Sequence, residues 1–180
     1  MKTKPVIEVA KLPVTLRPDW FVWVFFVGLT LLLWAPVFAE IRPVGLHWDY
    51  VALCLGITTA MIILLYTWNI VIGRDGITYR RLLFFSSSMP YAAMKTAQIT
   101  ITLPFGRSLK DRYRPVYGLL ITSENSSVAR PLLINIKPFS RRGLALLMQA
   151  ISAYAPQTQL DKTCERMKHR KMPSFLAPDN

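Results

Sequence analysis

Groups that do chemistry are nearly missing from this chain. Its 180 residues hold 2 histidines and 2 cysteines. Cys54 and Cys164 are far apart in sequence, and neither has a neighbour at metal-ligand spacing. That excludes a disulfide framework and a paired-cysteine metal site. GxSxG, Walker and HExxH patterns are absent as well. An enzyme needs a placed nucleophile, an acid–base pair or a metal. None is legible here, so the chain is expected to be non-enzymatic and to use no cofactor. Acids are also few, 10 against 22 lysines and arginines, for a net charge of +12.

Charge of either sign is missing from long stretches. Between Trp20 and Ile72 the only charged residues are Glu40, Arg42 and Asp49. "WFVWVFFVGLTLLLWAPVFA" (20–39) and "YVALCLGITTAMIILLYTWNIVI" (50–72) carry none. A helix of 20 residues is about 30 Å long, enough to cross the hydrocarbon of a bilayer. Only a helix pairs its own backbone in lipid, so a transmembrane hairpin is expected, with 40–49 as a short outer loop. Val37 and Ala39 also fit a signal-peptide cleavage pattern, but the 19 residues ahead of the apolar run are long for one. No Lys, Arg, Asp, Glu or His lies inside either run, which argues against ion-coupled transport. Gly28, Gly56, Thr58 and Thr59 are the small residues expected at helix–helix contacts.

Lysine and arginine set the orientation. Lys2, Lys4, Lys11 and Arg17 precede the first run, and Arg74, Arg80 and Arg81 follow the second. Only Arg42 lies in the loop between them. Both termini are therefore expected in the cytoplasm.

From Gly73 onward lysine and arginine number 17 and acids 6. "GRDG" holds Asp-Gly, a hairpin signal, between "NIVI" and "ITYRRLL". "KTAQITITL" alternates, with Ala97, Ile99 and Ile101 on one face. "VYGLLITSE" and "RPLLINIKPF" read as further strands. The period then changes. Ser140 is an N-cap, and Leu144, Leu147, Ile151 and Tyr154 share one helical face, with Gln149 turned to solvent. The expected domain (73–156) is a small antiparallel β-barrel or sandwich capped by a C-terminal helix. It lies between a basic leader (1–19) with the hairpin, and a basic flexible tail (157–180). In that tail Leu160, Cys164 and Met167 fall on one face of a short helix.

The basic residues are the candidate contact sites. Arg107, Lys110, Arg112 and Arg114 crowd one loop between strands, and Arg80 and Arg81 lie on a strand. They suit an anionic lipid surface or an acidic partner. No nucleic-acid recognition motif accompanies them, so nucleic acid is not an expected partner.

The second apolar run leading straight into a strand, "GRDGITYRR", the Met89-Pro90-Tyr91 stretch and "INIKPFSRRGLALLMQAISAYAP" resemble the membrane-anchored bacterial PH-like (pleckstrin-homology-like) domain proteins. The resemblance covers residues 68–156. It implies a PH-like barrel and a role as scaffold, accessory subunit or assembly factor at the bacterial inner membrane, with a membrane-protein partner or a second copy of the chain. Phosphoinositide-binding PH domains carry a basic cluster in a long loop between their first strands. "GRDG" is short and nearly neutral, so that ligand is not implied. The alternative is a membrane-anchored receptor whose barrel senses an anionic ligand such as a cyclic nucleotide.

Overall fold

The structure, a computed structural model, describes residues 12–39, 48–82, 85–102, 116–123 and 130–169. Two apolar helices, α1 (Trp20–Ala39) and α2 (Trp48–Thr67), form a hairpin. Each is 20 residues long with only 11% of its apolar window buried. Trp20, Leu32 and Trp48 are each more than 70% exposed. Neither helix is the core of a water-soluble body, and both are long and apolar enough to cross a membrane.

Among the described residues the remainder holds further helices packed on eight strands. These are β1 (Val14–Leu16), β2 (Asn69–Ile72), β3 (Gly76–Leu82), β4 (Phe85–Pro90), β5 (Met94–Thr102), β6 (Val116–Ser123), β7 (Leu132–Asn135) and β8 (Gln159–Leu160). They make two four-stranded sheets, ordered β1-β2-β3-β4 and β7-β6-β5-β8. All neighbours are antiparallel except β5 and β8, which run parallel. The second sheet is thus mixed rather than purely antiparallel, and β4 and β7 are edge strands of the two sheets.

One core joins the two sheets. Ile70, Ile72, Ile77 and Met89 from the first meet Leu119, Ile121, Leu132 and Ile134 from the second. Helix α3 (Arg141–Tyr154) adds Leu144, Leu147 and Ile151 from the expected stripe. Each such side chain contributes about 1.5–3 kcal/mol by leaving water. Ser140 caps α3 as its residue type demands, its hydroxyl accepting the Gly143 N–H at 3.1 Å.

The flanking segments differ from their sequence reading. The leader is not wholly outside the domain, because Val14–Leu16 pairs with β2 and buries Leu12 and Leu16. The tail is not free where it begins. Its Gln159–Leu160 add to β5, and α4 (Lys162–Lys168) buries Cys164 and Met167. Asp161 fastens this turn, accepting the Cys164 N–H with one carboxylate oxygen and the Ile99 N–H (2.8 Å) with the other. Burial pushes the Cys164 thiol well above its usual range, and the Asp161 charge adds to the effect. Gln149 is half-buried rather than solvent-facing, since α4 lies beside it and the Lys168 carbonyl accepts from its side-chain amide at 3.1 Å.

Candidate interaction surface at the helix–sheet junction

The end of the helical hairpin is where the chain's parts converge. The last backbone bond of α2 runs from the Trp68 N–H to the Leu64 carbonyl (3.1 Å), and β2 begins at the next residue. At the start of α1, Asp19 accepts the Trp20 N–H on its carboxylate (2.7 Å) and the Val22 N–H on its carbonyl (3.0 Å). The Asp19 N–H in turn donates to the Pro138 carbonyl at 2.7 Å, and Pro18 bridges Phe139. Between these helix ends the register runs Val14 to Ile72, Thr15 to Val71 and Leu16 to Ile70. Both helices therefore grow out of neighbouring strands of one sheet. A flexible linker would let the domain tumble against the hairpin, and here there is none.

Side chains lock the same corner. The Trp68 indole donates to the Tyr79 hydroxyl at 2.9 Å. Burial raises the Tyr79 phenol, an effect the Trp68 bond partly offsets. Trp23 meets Tyr66 edge to face at 5.6 Å, and the Arg17 guanidinium lies 5.9 Å from the Tyr66 ring centre. Farther along the hairpin the Trp34 indole donates to Thr58 (3.0 Å) and the Tyr50 hydroxyl to the Leu33 carbonyl (2.9 Å). Of the small residues expected at this contact only Thr58 is there. A Cβ on Gly28 or Gly56 would meet nothing within 4 Å, and Thr59 is exposed.

The structure places two of the candidate basic residues near the end of α2. Arg80 stands opposite Asn69, the first residue of β2. Arg81 falls at a bulge between Arg80 and Leu82, where the β3–β4 register shifts. Both are exposed. Arg107, Lys110, Arg112 and Arg114 lie outside the described residues. Arg17 lies over the Tyr66 ring, and Arg141 and Arg142 open α3 just after the Pro18–Phe139 bridge, placements the sequence does not reveal. The signal for Arg17 was the alternation Val14-Thr15-Leu16 just before it, three residues long.

Beside Arg81 a cavity of about 410 Å³ opens next to the edge strands β4 and β7. Tyr79, Arg81, Phe85, Ser87 and Leu133 line it. The described lining residues supply a cation, hydroxyls and apolar surface.

No protein-family model, curated protein or solved structure matches this chain.

Proposed function

We propose that this chain is a non-enzymatic scaffold or accessory subunit of the bacterial inner membrane. In this reading α1 and α2 cross the bilayer, both termini are cytoplasmic, and a PH-like domain is presented to a membrane-protein complex. The observation that carries it is the pairing of β1 with β2, Val14 to Ile72 through Leu16 to Ile70, which joins both helices to one sheet. Such a joint holds the domain at one height and tilt over the membrane. Catalysis on a soluble substrate gains nothing from that constraint. Presentation of one face to an embedded partner depends on it. The PH-like assignment is supported by two sheets around one core with α3 packed into it.

Topology is tested by reporter fusions. A reporter active only in the periplasm stays silent after Asn180 and is active when inserted near Gly45. A periplasmic C-terminus contradicts the proposal. Purification in mild detergent then identifies the complex, and recovery of the chain alone as a monomer counts against a scaffold.

A second reading, a receptor for an anionic ligand such as a cyclic nucleotide, draws on the cavity beside Arg81. Its volume is within the roughly 300–1,000 Å³ range of small-molecule sites. A cyclic-nucleotide panel separates the two readings, because a ligand bound to the folded state raises the melting temperature and a scaffold shows no shift.

A further inference from the structure

The ladder registers fix where the junction's arginines stand relative to the helices, and the inference below rests on reading α1 and α2 as membrane spans. Arg80 pairs with Asn69, two residues beyond Thr67, the last residue of α2. Strand β3 runs antiparallel to β2, so from Arg80 it heads back towards the helix end. At roughly 3.3 Å per residue, Arg80 and Arg81 lie within about 7 Å of the level where α2 stops. Tyr66 and Trp68 mark that level as aromatic residues at a membrane–water boundary do. Arg17 is there too, over the Tyr66 ring. The Pro18–Phe139 bridge brings the start of α3 to the same level, and the exposed Arg141 and Arg142 follow two and three residues after Phe139.

Five arginines thus share the end of the domain that faces the hairpin. Asp19, between Arg17 and α1, already accepts the Trp20 N–H on its carboxylate. Arg141 and Arg142 occupy the first turn of a helix with no acid in it, where the helix dipole disfavours cations. An external anion beside them removes that conflict. Phe85, 66% exposed, pairs with Leu82 at the end of the β3–β4 hairpin. An apolar tip next to cations matches a headgroup boundary better than it matches bulk water.

We infer that Arg17, Arg80, Arg81, Arg141 and Arg142 form a collar that binds the phosphate headgroups of anionic phospholipids in the leaflet where α1 and α2 meet the domain. The collar clamps the domain down on the bilayer, with Phe85 set among the headgroups. Guanidinium groups suit this task because they hold phosphate with paired N–H donors.

The test uses the purified full chain in detergent, titrated with phosphatidylglycerol or phosphatidylcholine and read by native mass spectrometry. Phosphatidylglycerol is retained in preference to phosphatidylcholine. Arg80→Glu with Arg81→Glu lowers that retention at least about tenfold, since each surface cation contributes roughly fivefold. Arg74→Glu with Arg130→Glu makes the same charge change away from the junction and leaves retention unchanged. Arg74 lies in the β2–β3 turn, and Arg130 precedes the end of β7 remote from Phe139. Circular dichroism in phosphatidylcholine confirms that both variants fold. Should the first misfold, Arg141→Gln with Arg142→Gln carries the same expectation. Equal loss in the remote variant, or no preference for phosphatidylglycerol, overturns the collar. Extraction of native membranes with alkaline carbonate separates the two failures. A chain released by carbonate refutes the spans, and a chain that stays without lipid preference refutes the collar alone.

Discussion

Leu147→Asp unfolds the domain, whereas Ala153→Asp leaves it folded. Leu147 is fully buried on the face of α3 that meets both sheets. Among the described residues no lysine or arginine is buried to pair with a carboxylate there. An unpaired charge there costs several kcal/mol. A domain of this size is typically stable by about 5–15 kcal/mol, so the substitution removes much or all of that margin. Ala153 lies on the same helix and is exposed. Its substitution meets water and an unfavourable helix C-terminus, which costs under about 1 kcal/mol. Near-ultraviolet circular dichroism and limited proteolysis distinguish the variants. Equal stability would mean that α3 does not close the core.

Gly76→Val has the next largest effect, through the backbone rather than the core. A Cβ on Gly76 would lie 2.8 Å from the Pro90 Cα and would collide with the Met89 carbonyl oxygen. Both obstacles are main chain of the neighbouring strand, which can yield only if β3 and β4 part. The cost is at least about 2 kcal/mol. For a domain of roughly 100 residues that lowers the melting temperature by roughly 10 °C or more. Gly56→Ala is the control, because nothing stands within 4 Å of its added Cβ and the melting temperature does not change.

Gly76 also shows how a correct expectation can have a different cause. Asp-Gly signals a hairpin because glycine accepts positive φ at the centre of a tight turn. Here Gly73 and Gly76 face each other, the Gly73 N–H donating to the Gly76 carbonyl at 2.9 Å, and Arg74 and Asp75 form the centre. Glycine is needed at 76 because β4 passes too close for a side chain.

The parts of the fold legible in sequence are those with long patterns. Twenty residues without charge announce a helix that shuns water, and the stripe Leu144, Leu147, Ile151 announces one buried face. The junction was not legible because its strands are short. Val14–Leu16 is three residues long and Gln159–Leu160 is two, and neither length establishes a period. Both are strands only because a longer neighbour, β2 or β5, offers an edge. Gln149 went astray for a related reason. A helical wheel identifies the face turned to the main core, yet α4 covers a second face that no periodicity in α3 announces. Gly28 and Gly56 show the converse limit. Small residues permit close helix contact, but the aromatic and hydroxyl pair Trp34 and Thr58 decides which faces meet. Arg80 and Arg81 were legible as basic residues on a strand. Their level near the end of α2, and that of Arg17 and the start of α3, depend on the β2–β3 register and the Pro18–Phe139 bridge, which only the assembled fold supplies.

The central claim is that both helices issue from adjacent strands of one sheet, and a disulfide tests it most directly. Thr15 and Val71 are direct antiparallel partners. Such partners have Cα atoms about 4.5–5.5 Å apart, inside the roughly 4.4–6.8 Å window a disulfide needs. The two native cysteines are buried and need not be replaced. Thr15→Cys with Val71→Cys, oxidised in native membranes and digested, yields the linked peptide as the major product. Thr15→Cys with Ser88→Cys is the control, since β1 and β4 stand at opposite edges of the same sheet, about 14 Å apart. A linked 15–71 peptide well above that control is the predicted result. Linkage no greater than the control would contradict the shared sheet, and with it the proposal that the domain is held rigidly over the membrane.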